Sequence, residues 1–371
     1  MARIAFIEVT STVDYGGIQT AVWNLAETLS GLGHGVSVFG GNGTEPPPVR
    51  DKRVRVETFP FTPRERILNL GSRFRRIVER ATFARYARKA VIAGEFEWAI
   101  LNKPFDFFWP WIMPTGSKTR FAFVSGGTDF FGSDRWLARR VDAMFACSYF
   151  NAWQIRAHYR RSVAVIYNGV DTKKFAPANA TAIRDRLGVS ERTVLFAFAG
   201  RLVGWKGIGI AIRALVDPAL RDTSTKLLVI GAGPERPRLK ELARTLGVSD
   251  RVLFQDPVSH DDLPGYYAAA DVGVFPSIGD EAFGITIAEA MSCAKPVIAS
   301  YVGGIPEVVG NEGSSGLLVA PADTGQLAKA MRTLALDPER RALMGAAARE
   351  RITDEFSWTA AAKRLLRGLG L

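Results

Sequence analysis

Cysteine is scarce: the 371-residue chain has only Cys147 and Cys293, each inside an apolar or helical stretch. That excludes a disulfide framework and a cysteine zinc site, and both residues read as ordinary buried thiols. No apolar run reaches the roughly 18 residues that a membrane-crossing helix needs. The chain runs straight into a short apolar segment, Arg3 to Val9, without a charged region ahead of an apolar one. No signal peptide is therefore expected, and the expected location is cytoplasmic. There is no GxGxxG fingerprint, which argues against a dinucleotide cofactor. Repeats at 20–50 residues and low-complexity tracts are also lacking, and Pro46-Pro47-Pro48 marks only a surface loop.

What is present is 47% apolar and 23% charged, with 36 glycines and 19 prolines, a composition that suits a loop-rich α/β protein of about two domains. The net charge of +11 is unevenly spread. Residues 1–170 carry 23 Lys and Arg against 14 Asp and Glu, whereas residues 171–371 carry 25 against 23. Arg64 to Lys89 alone holds nine basic and two acidic residues, together with Ile67, Leu68, Leu70, Phe74, Ile77, Val78 and Phe83. Such a basic, partly amphipathic helix could lie peripherally on an anionic inner membrane face, or it could be an Arg-rich solvated face. No nucleic-acid reader motif accompanies the charge, so no nucleic-acid partner is expected.

Short apolar runs alternate with helical periodicity. Arg3–Val9 reads as a buried strand, followed by Ile18, Val22, Leu25, Leu29 and Leu32 at helical spacing and by Gly33 and Gly35 as a stop. Val36–Phe39, Trp98–Leu101, Phe121–Val124, Ala143–Cys147 and Val163–Ile166 read as further strands. A second series comprises Val194–Ala199, Lys226–Ile230, Arg251–Phe254, Val272–Phe275 and Pro296–Ala299. This rhythm predicts an α/β protein of two Rossmann-like domains with parallel sheets. The domains are expected at 1–170 and 171–355, with 356–371 a C-terminal helix packing back on the first. Ligands bind beyond the carboxyl ends of such strands, here in a cleft expected between the domains, so the chemistry is sought in the loops.

Five loops stand out. Asp14-Tyr15-Gly16-Gly17 pairs two glycines with a helix N-terminus, where backbone can approach an anion closely, or it is merely a turn. Gly200-Arg201-Leu202-Val203-Gly204-Trp205-Lys206-Gly207 sets two cations at a strand-to-helix turn, where both could face a diphosphate or simply be solvated. Gly231-Ala232-Gly233-Pro234 shapes a nucleotide pocket or ends a strand. The sharpest loop is Pro276-Ser277-Ile278-Gly279-Asp280-Glu281-Ala282-Phe283-Gly284-Ile285-Thr286-Ile287-Ala288-Glu289-Ala290. Here Glu281 falls in the loop, where it can accept sugar hydroxyls, and the helix begins near 283–285. Glu289 falls on a partly buried helix face, where a carboxylate needs a partner. A ribose diol would supply two donors; a salt bridge within the fold is the alternative. The N–H groups of Gly284 to Thr286 can meet phosphate. Tyr301-Val302-Gly303-Gly304-Ile305-Pro306-Glu307 reads as an architectural turn.

The run from Phe275 through Glu307 resembles glycosyltransferase family 4, retaining enzymes of the two-domain GT-B fold. The resemblance extends to Gly16-Gly17-Ile18, Gly33-His34-Gly35-Val36, Asn168-Gly169-Val170-Asp171, Gly200-Arg201, Lys206-Gly207 and Phe356-Ser357-Trp358. It implies that Arg201 and Lys206 hold a donor diphosphate and Glu289 the ribose. It also implies that Glu281, with the backbone of Phe283, Gly284 and Ile285, holds the transferred sugar. Gly17 would line the phosphate side and Val258 would touch the base. Such enzymes are metal-independent and carry no resident cofactor. This is consistent with the lack of an Asp-x-Asp pair and with the scattering of His34, His158 and His260. His34 reads as a helix cap and the other two as surface or helix-end residues. One departure concerns Ser125, which stands where the family has a histidine at a strand end, in Phe123-Val124-Ser125-Gly126-Gly127-Thr128-Asp129. Either Ser125 and Asp129 then make the sugar contacts differently, with Asp129 an acceptor contact or base, or catalysis is weak.

The expected reaction moves a hexose-type sugar from a nucleotide diphosphate sugar, UDP favoured over GDP, to a hydroxyl of a glycan, lipid-linked or small-molecule acceptor. Fixed cations and helix-end amides would stabilise the leaving diphosphate. No carboxylate is evident for a double displacement, so attack on the same face is expected, with the leaving phosphate taking the acceptor's proton. The alternatives are a nucleotide-sugar epimerase or a phosphorylase on the same plan, and a non-catalytic nucleotide-sugar-binding protein. An epimerase lacks a suitable histidine, a phosphorylase would carry pyridoxal phosphate on a lysine that is not apparent, and Ser125 is the feature that suggests the binding protein.

Overall fold

The computed structural model describes residues 1–13, 16–43, 51–127, 130–310 and 313–371. Asp14, Tyr15, the Pro46-Pro47-Pro48 run and Asp129 lie outside the described residues. The chain divides into two compact units, Met1–Gly169 with Trp358–Leu371, and Val170–Ser357.

The first unit holds seven parallel strands: β1 (Arg3–Ile7), β2 (Gly35–Gly41), β3 (Arg55–Phe59), β4 (Trp98–Leu101), β5 (Arg120–Val124), β6 (Ala143–Ala146) and β7 (Ala164–Val165), in the order β3-β2-β1-β4-β5-β6-β7. The central strands are short apolar runs buried along nearly their whole length, as a parallel sheet covered on both faces demands. β3 has no such run. It alternates Arg55, Val56 and Glu57, pairs only with β2 and is largely half-exposed, which is edge-strand character. The helix Gly17–Gly31 buries Ala21, Val22, Leu25, Ala26 and Leu29. It is closed by backbone, the His34 N–H donating to the Leu29 carbonyl at 3.1 Å. The His34 ring is not the cap; its Nδ1 accepts from the Ala2 N–H at 3.4 Å. The helix Trp358–Leu369 buries Trp358, Ala361, Ala362, Leu365 and Leu369 and belongs to this unit. Gly368 lets it rest on the Phe145 ring. Phe356 stays with the second unit, its carbonyl accepting from the Val170 N–H at 2.7 Å.

The basic segment is not one helix. A 3-10 turn, Arg64–Arg66, precedes Gly71 and the helix Ser72–Ala93. Phe83, Ala84, Ala87 and Val91 of that helix join the core with Phe39, Phe107, Trp109 and Phe123. Arg80 is only 2% exposed, so one of the nine cations counted as a surface charge is buried.

The second unit has six parallel strands: β8 (Val194–Ala199), β9 (Thr225–Ile230), β10 (Val252–Gln255), β11 (Val272–Phe275), β12 (Val297–Ser300) and β13 (Gly316–Val319), in the order β10-β9-β8-β11-β12-β13. β13 has no counterpart in the sequence reading: it is a four-residue edge strand preceded by a Gly-Ser stretch. Chain order reverses between β1 and β4 in the first sheet and between β8 and β11 in the second. Beyond the carboxyl ends at such reversals, neighbouring loops part and leave room for a ligand.

Candidate functional site

The loops after β8 and β11 flank the second unit's reversal. After β8 the chain makes a 3-10 turn, Gly204–Lys206, and enters the helix Ile208–Ala214 through Gly207 at φ +69°. A Cβ there would collide with the Pro276 carbonyl, so only glycine lets the two loops approach this closely. The Trp205 carbonyl accepts from the Ile278 N–H at 2.7 Å. This docking brings Lys206 to Glu281, Nζ to Oε2 at 2.5 Å, with the side chains 14% and 18% exposed. The Lys206 ammonium also lies 4.5 Å from the centre of the Trp205 ring. The loop after β12 supports Glu281 from behind: its carbonyl accepts from the Gly304 N–H at 2.7 Å, and Gly303, at φ +60°, has no room for a Cβ against the same carbonyl. The architectural turn thus fixes the backbone of Glu281.

Beyond Glu281 the chain buries Phe283 and turns at Gly284 into the helix Ile285–Ser292. Ile285 and Thr286 head that helix, where N–H groups point outward and favour an anion. Glu289 lies within it, its carboxylate 5% exposed. Its Oε1 is 2.9 Å from Nε2 of His260, and Nδ1 of His260 is 2.9 Å from Nζ of Lys174. Glu289 thus has a polar partner within the fold, a histidine rather than the Lys or Arg of a plain salt bridge, and one oxygen rather than two is left uncommitted by this bond. His260 is correspondingly no plain surface residue. Nothing in its sequence neighbourhood signals the contact, because 29 residues separate the partners. Tyr267 is fully buried close by; burial, followed by the Glu289 charge, pushes its hydroxyl well above the usual range, and it donates to the Thr286 carbonyl at 3.1 Å.

Other candidates are less engaged. Arg201 is exposed, Val258 is half-buried in the loop after β10, and Gly231 abuts Gly200 where the loops after β8 and β9 meet. A cavity of about 520 Å³ lies beside the helix Ile208–Ala214, lined by Val203, Leu239, Leu242 and Ile278 among others; Lys206, Glu281 and Glu289 do not line it. The Lys206–Glu281 pair and Glu289 are thus set apart from this cavity.

In the first unit Gly16 precedes the helix Gly17–Gly31 and Gly17 begins it. Ser125 follows β5 and is buried, its hydroxyl donating to the Gly127 carbonyl at 2.8 Å, which also accepts from Asn151 Nδ2 at 3.1 Å. Asp129 lies outside the described residues. His158, read as a surface or helix-end residue, has its Nε2 2.7 Å from the buried Asp134 carboxylate and stacks on Phe130.

A charged cluster that the sequence reading missed underlies the β1–β4 reversal. Arg80 Nη2 reaches Glu8 Oε1 at 3.1 Å, its Nε reaches Asp106 Oδ2 at 3.1 Å, and Nη1 reaches Glu79 Oε2 at 3.3 Å. Three carboxylates around one buried guanidinium cannot all ionise cheaply. Burial, with Glu8 beside it, pushes Asp106 up to about 7. Against the opposing effect of burial, Arg80, Lys103 and the Thr10 hydrogen bonds hold Glu8 below the usual carboxylate range. Among the described residues, no group of three His, Cys, Asp or Glu side chains forms a candidate metal site, and no helix is long and apolar enough to cross a membrane.

Comparison with known proteins covers nearly the whole chain. The model described as Glycosyltransferase Family 4 matches residues 15–174, and that described as Glycosyl transferases group 1 matches residues 179–351. A D-inositol 3-phosphate glycosyltransferase of Saccharomonospora viridis is 40% identical over 214 residues, covering 55% of this chain and 49% of the relative. A GDP-mannose-dependent alpha-(1-6)-phosphatidylinositol monomannoside mannosyltransferase of Mycolicibacterium smegmatis is 37% identical over 205 residues, covering 53% of each chain. These matches span about half the length of the curated relatives. Among solved structures, sucrose-phosphate synthase of Thermosynechococcus elongatus superposes with a TM-score of 0.82 at 24% identity, over 99% of this chain and 98% of the other. Anabaena Alr3699/HepE in complex with UDP and glucose does so with a TM-score of 0.79 at 22% identity over the full length of both. At such identities the likeness is one of fold.

Proposed function

The chain belongs to glycosyltransferase family 4 and has the GT-B fold, and from that premise we propose that it transfers a hexose-type sugar, with retention, from a nucleotide diphosphate sugar to an acceptor hydroxyl. The observation that carries this reading is the convergence of Lys206, Glu281 and the head of the helix Ile285–Ser292 at the β8–β11 reversal, with Glu289 about one turn further along that helix. Lys206 and Arg201 would neutralise the diphosphate as the glycosidic bond breaks, helped by the amides of Gly284, Ile285 and Thr286. Glu289 would accept from the ribose, Glu281 from hydroxyls of the transferred sugar, and Val258, Phe283 and Gly231 would line the base and sugar. Gly16, Gly17 and Ser125 would serve from the first unit. The acceptor oxygen would attack on the face that the diphosphate leaves, and its proton would pass to the departing phosphate oxygen. Neither a metal nor a resident cofactor enters this scheme.

UDP is the favoured carrier; the bound UDP of the Anabaena structure supports it, and the mycolicibacterial relative's name makes GDP the competing arm. A thermal-shift panel of nucleotide sugars separates them, since a bound donor raises the midpoint by mass action. If no nucleotide sugar shifts the midpoint, the reading fails. The acceptor is proposed to be a glycan, lipid-linked or small-molecule intermediate. The first unit's basic surface fits an anionic one, as do Arg66 and Arg73 beside the exposed Leu68, Leu70, Phe74 and Ile77, which are suited to peripheral contact with an anionic membrane. Vesicles containing phosphatidylglycerol should co-sediment the protein, and neutral vesicles should not.

A second reading, a nucleotide-sugar-binding protein without transfer, draws on Ser125, whose hydroxyl is engaged with the Gly127 carbonyl rather than held ready for a sugar. Donor binding without product from any acceptor would favour it.

A further inference from the structure

We propose that His260, oriented by Lys174, is a positioning residue that holds the Glu289 carboxylate in the rotamer that receives the ribose; this rests on the assignment of Glu289 to the ribose made above. The geometry is a chain of polar contacts inside the second unit. Asp261 Oδ1 accepts from Lys174 Nζ at 2.6 Å, Lys174 Nζ meets His260 Nδ1 at 2.9 Å, and His260 Nε2 meets Glu289 Oε1 at 2.9 Å. An ammonium only donates, so Nδ1 is the acceptor and the ring hydrogen sits on Nε2, aimed at the carboxylate. The order of donors therefore has one direction, from Lys174 to Glu289.

The ring is also held sterically. It packs on Phe175, with centroids 5.0 Å apart, and Phe175 is fully buried, its carbonyl accepting from Ser292 Oγ at 2.6 Å. Ser292 lies on the same helix as Glu289, three residues on. Helix, Phe175 and His260 thus form one packed unit, and the Glu289 carboxylate is tied to it at one oxygen. A glutamate has three side-chain torsions, and freezing them before the donor arrives lowers the entropic cost of binding. Oε2 is left to accept from the ribose hydroxyls.

Binding of UDP and GDP, each beside its 2′,3′-dideoxy analogue, tests the idea by titration calorimetry. With the wild type, the ribonucleotide should bind more tightly than its dideoxy analogue. His260→Leu should weaken the better-bound ribonucleotide by about tenfold, the order expected for one hydrogen bond to a charged group, and leave the dideoxy analogue unchanged. Lys174→Met should show the same selectivity with a smaller loss. His260→Gln, whose amide can still donate to Glu289, should recover most of the affinity. A merely structural role would weaken both nucleotides alike and would not be rescued by glutamine. If Glu289→Ala costs the ribonucleotide alone but His260→Leu costs both or neither, the positioning role is overturned and the ribose assignment stands. If Glu289→Ala shows no ribose selectivity, the assignment itself falls, and the role of His260 with it.

Discussion

Replacing Lys206 with alanine removes one cation from the β8–β11 reversal and leaves Glu281 facing the same space without it. The two groups are 2.5 Å apart and each is less than one-fifth exposed, so their interaction is screened less than that of a surface pair. If Lys206 bears on the diphosphate, the variant loses a charge-assisted hydrogen bond to the leaving group, about 1.5–3 kcal/mol. That corresponds to a fall of roughly 10- to 150-fold in kcat/KM for the donor. The unpartnered Glu281 adds electrostatic repulsion toward the phosphate, which puts the expected loss at the upper end of that span. The assay is the initial rate of nucleoside diphosphate release with saturating acceptor. Glu281→Gln made alone and together with Lys206→Ala completes a cycle. If Lys206 acts on the donor, its removal should still cost at least tenfold in the Glu281→Gln background, an order set by one such bond. A Lys206→Ala variant that transfers sugar within about twofold of the wild type would refute the reasoning, since no charge-assisted contact is worth so little.

Gly207→Ala should destabilise the second unit without touching a donor contact directly. A Cβ at φ +69° also strikes the Pro276 carbonyl, so a loss of about 2–3 kcal/mol is expected in urea denaturation. Glu289→Ala should abolish most transfer, whereas its thermal midpoint stays within a few degrees, a shift of the size that about 1 kcal/mol produces; equal loss of folding and rate would count against a binding role. The Arg80 cluster carries a pH signature. Asp106, pushed up to about 7, keeps in the folded state a proton that the unfolded chain has lost above about pH 4. Stability therefore falls as pH rises through that window, and the contribution is gone above the folded value. Glu8, held below its usual range, titrates at lower pH and does not mask it. Denaturation at about pH 5 and about pH 8 should show a larger fall for the wild type than for Asp106→Asn; parallel falls would show that Asp106 is already ionised throughout.

How much of this was legible in the sequence depended on range. Val194–Ala199, Trp98–Leu101 and Val272–Phe275 are apolar runs whose burial needs no partner to be guessed, and these strands lie where the runs do. β3 and β13 escaped because an edge strand need be apolar on one side only, and because four or five residues carry too little pattern. In the second unit the motif around Glu281 was visible because loop, glycine and helix start are contiguous. What surrounds Glu289 was not, since His260 and Lys174 come from segments with no shared period. Arg80 was misread for a related reason. In a stretch with nine cations, helical spacing cannot tell the one that turns inward from those that do not. The carboxylates of Glu8 and Asp106, from the segments that follow β1 and β4, together with Glu79 beside it, make that choice affordable.

The same contrast separates the two reversals chemically. At β8–β11, Lys206 and Glu281 are partly exposed and meet each other across loops that glycines hold in contact, so a ligand can compete for either. At β1–β4, Arg80, Glu8 and Asp106 are sealed from water, and a ligand that displaced any one of them would leave a buried charge uncompensated. The first arrangement is suited to exchange of an anion, the second to holding the strand ends in place. That contrast supports the proposed placing of the donor in the second unit. Arg80→Met should accordingly cost folding of the first unit and leave donor affinity of whatever protein remains folded unchanged. A selective loss of donor affinity in that variant, with the unfolding midpoint intact, would undo the distinction.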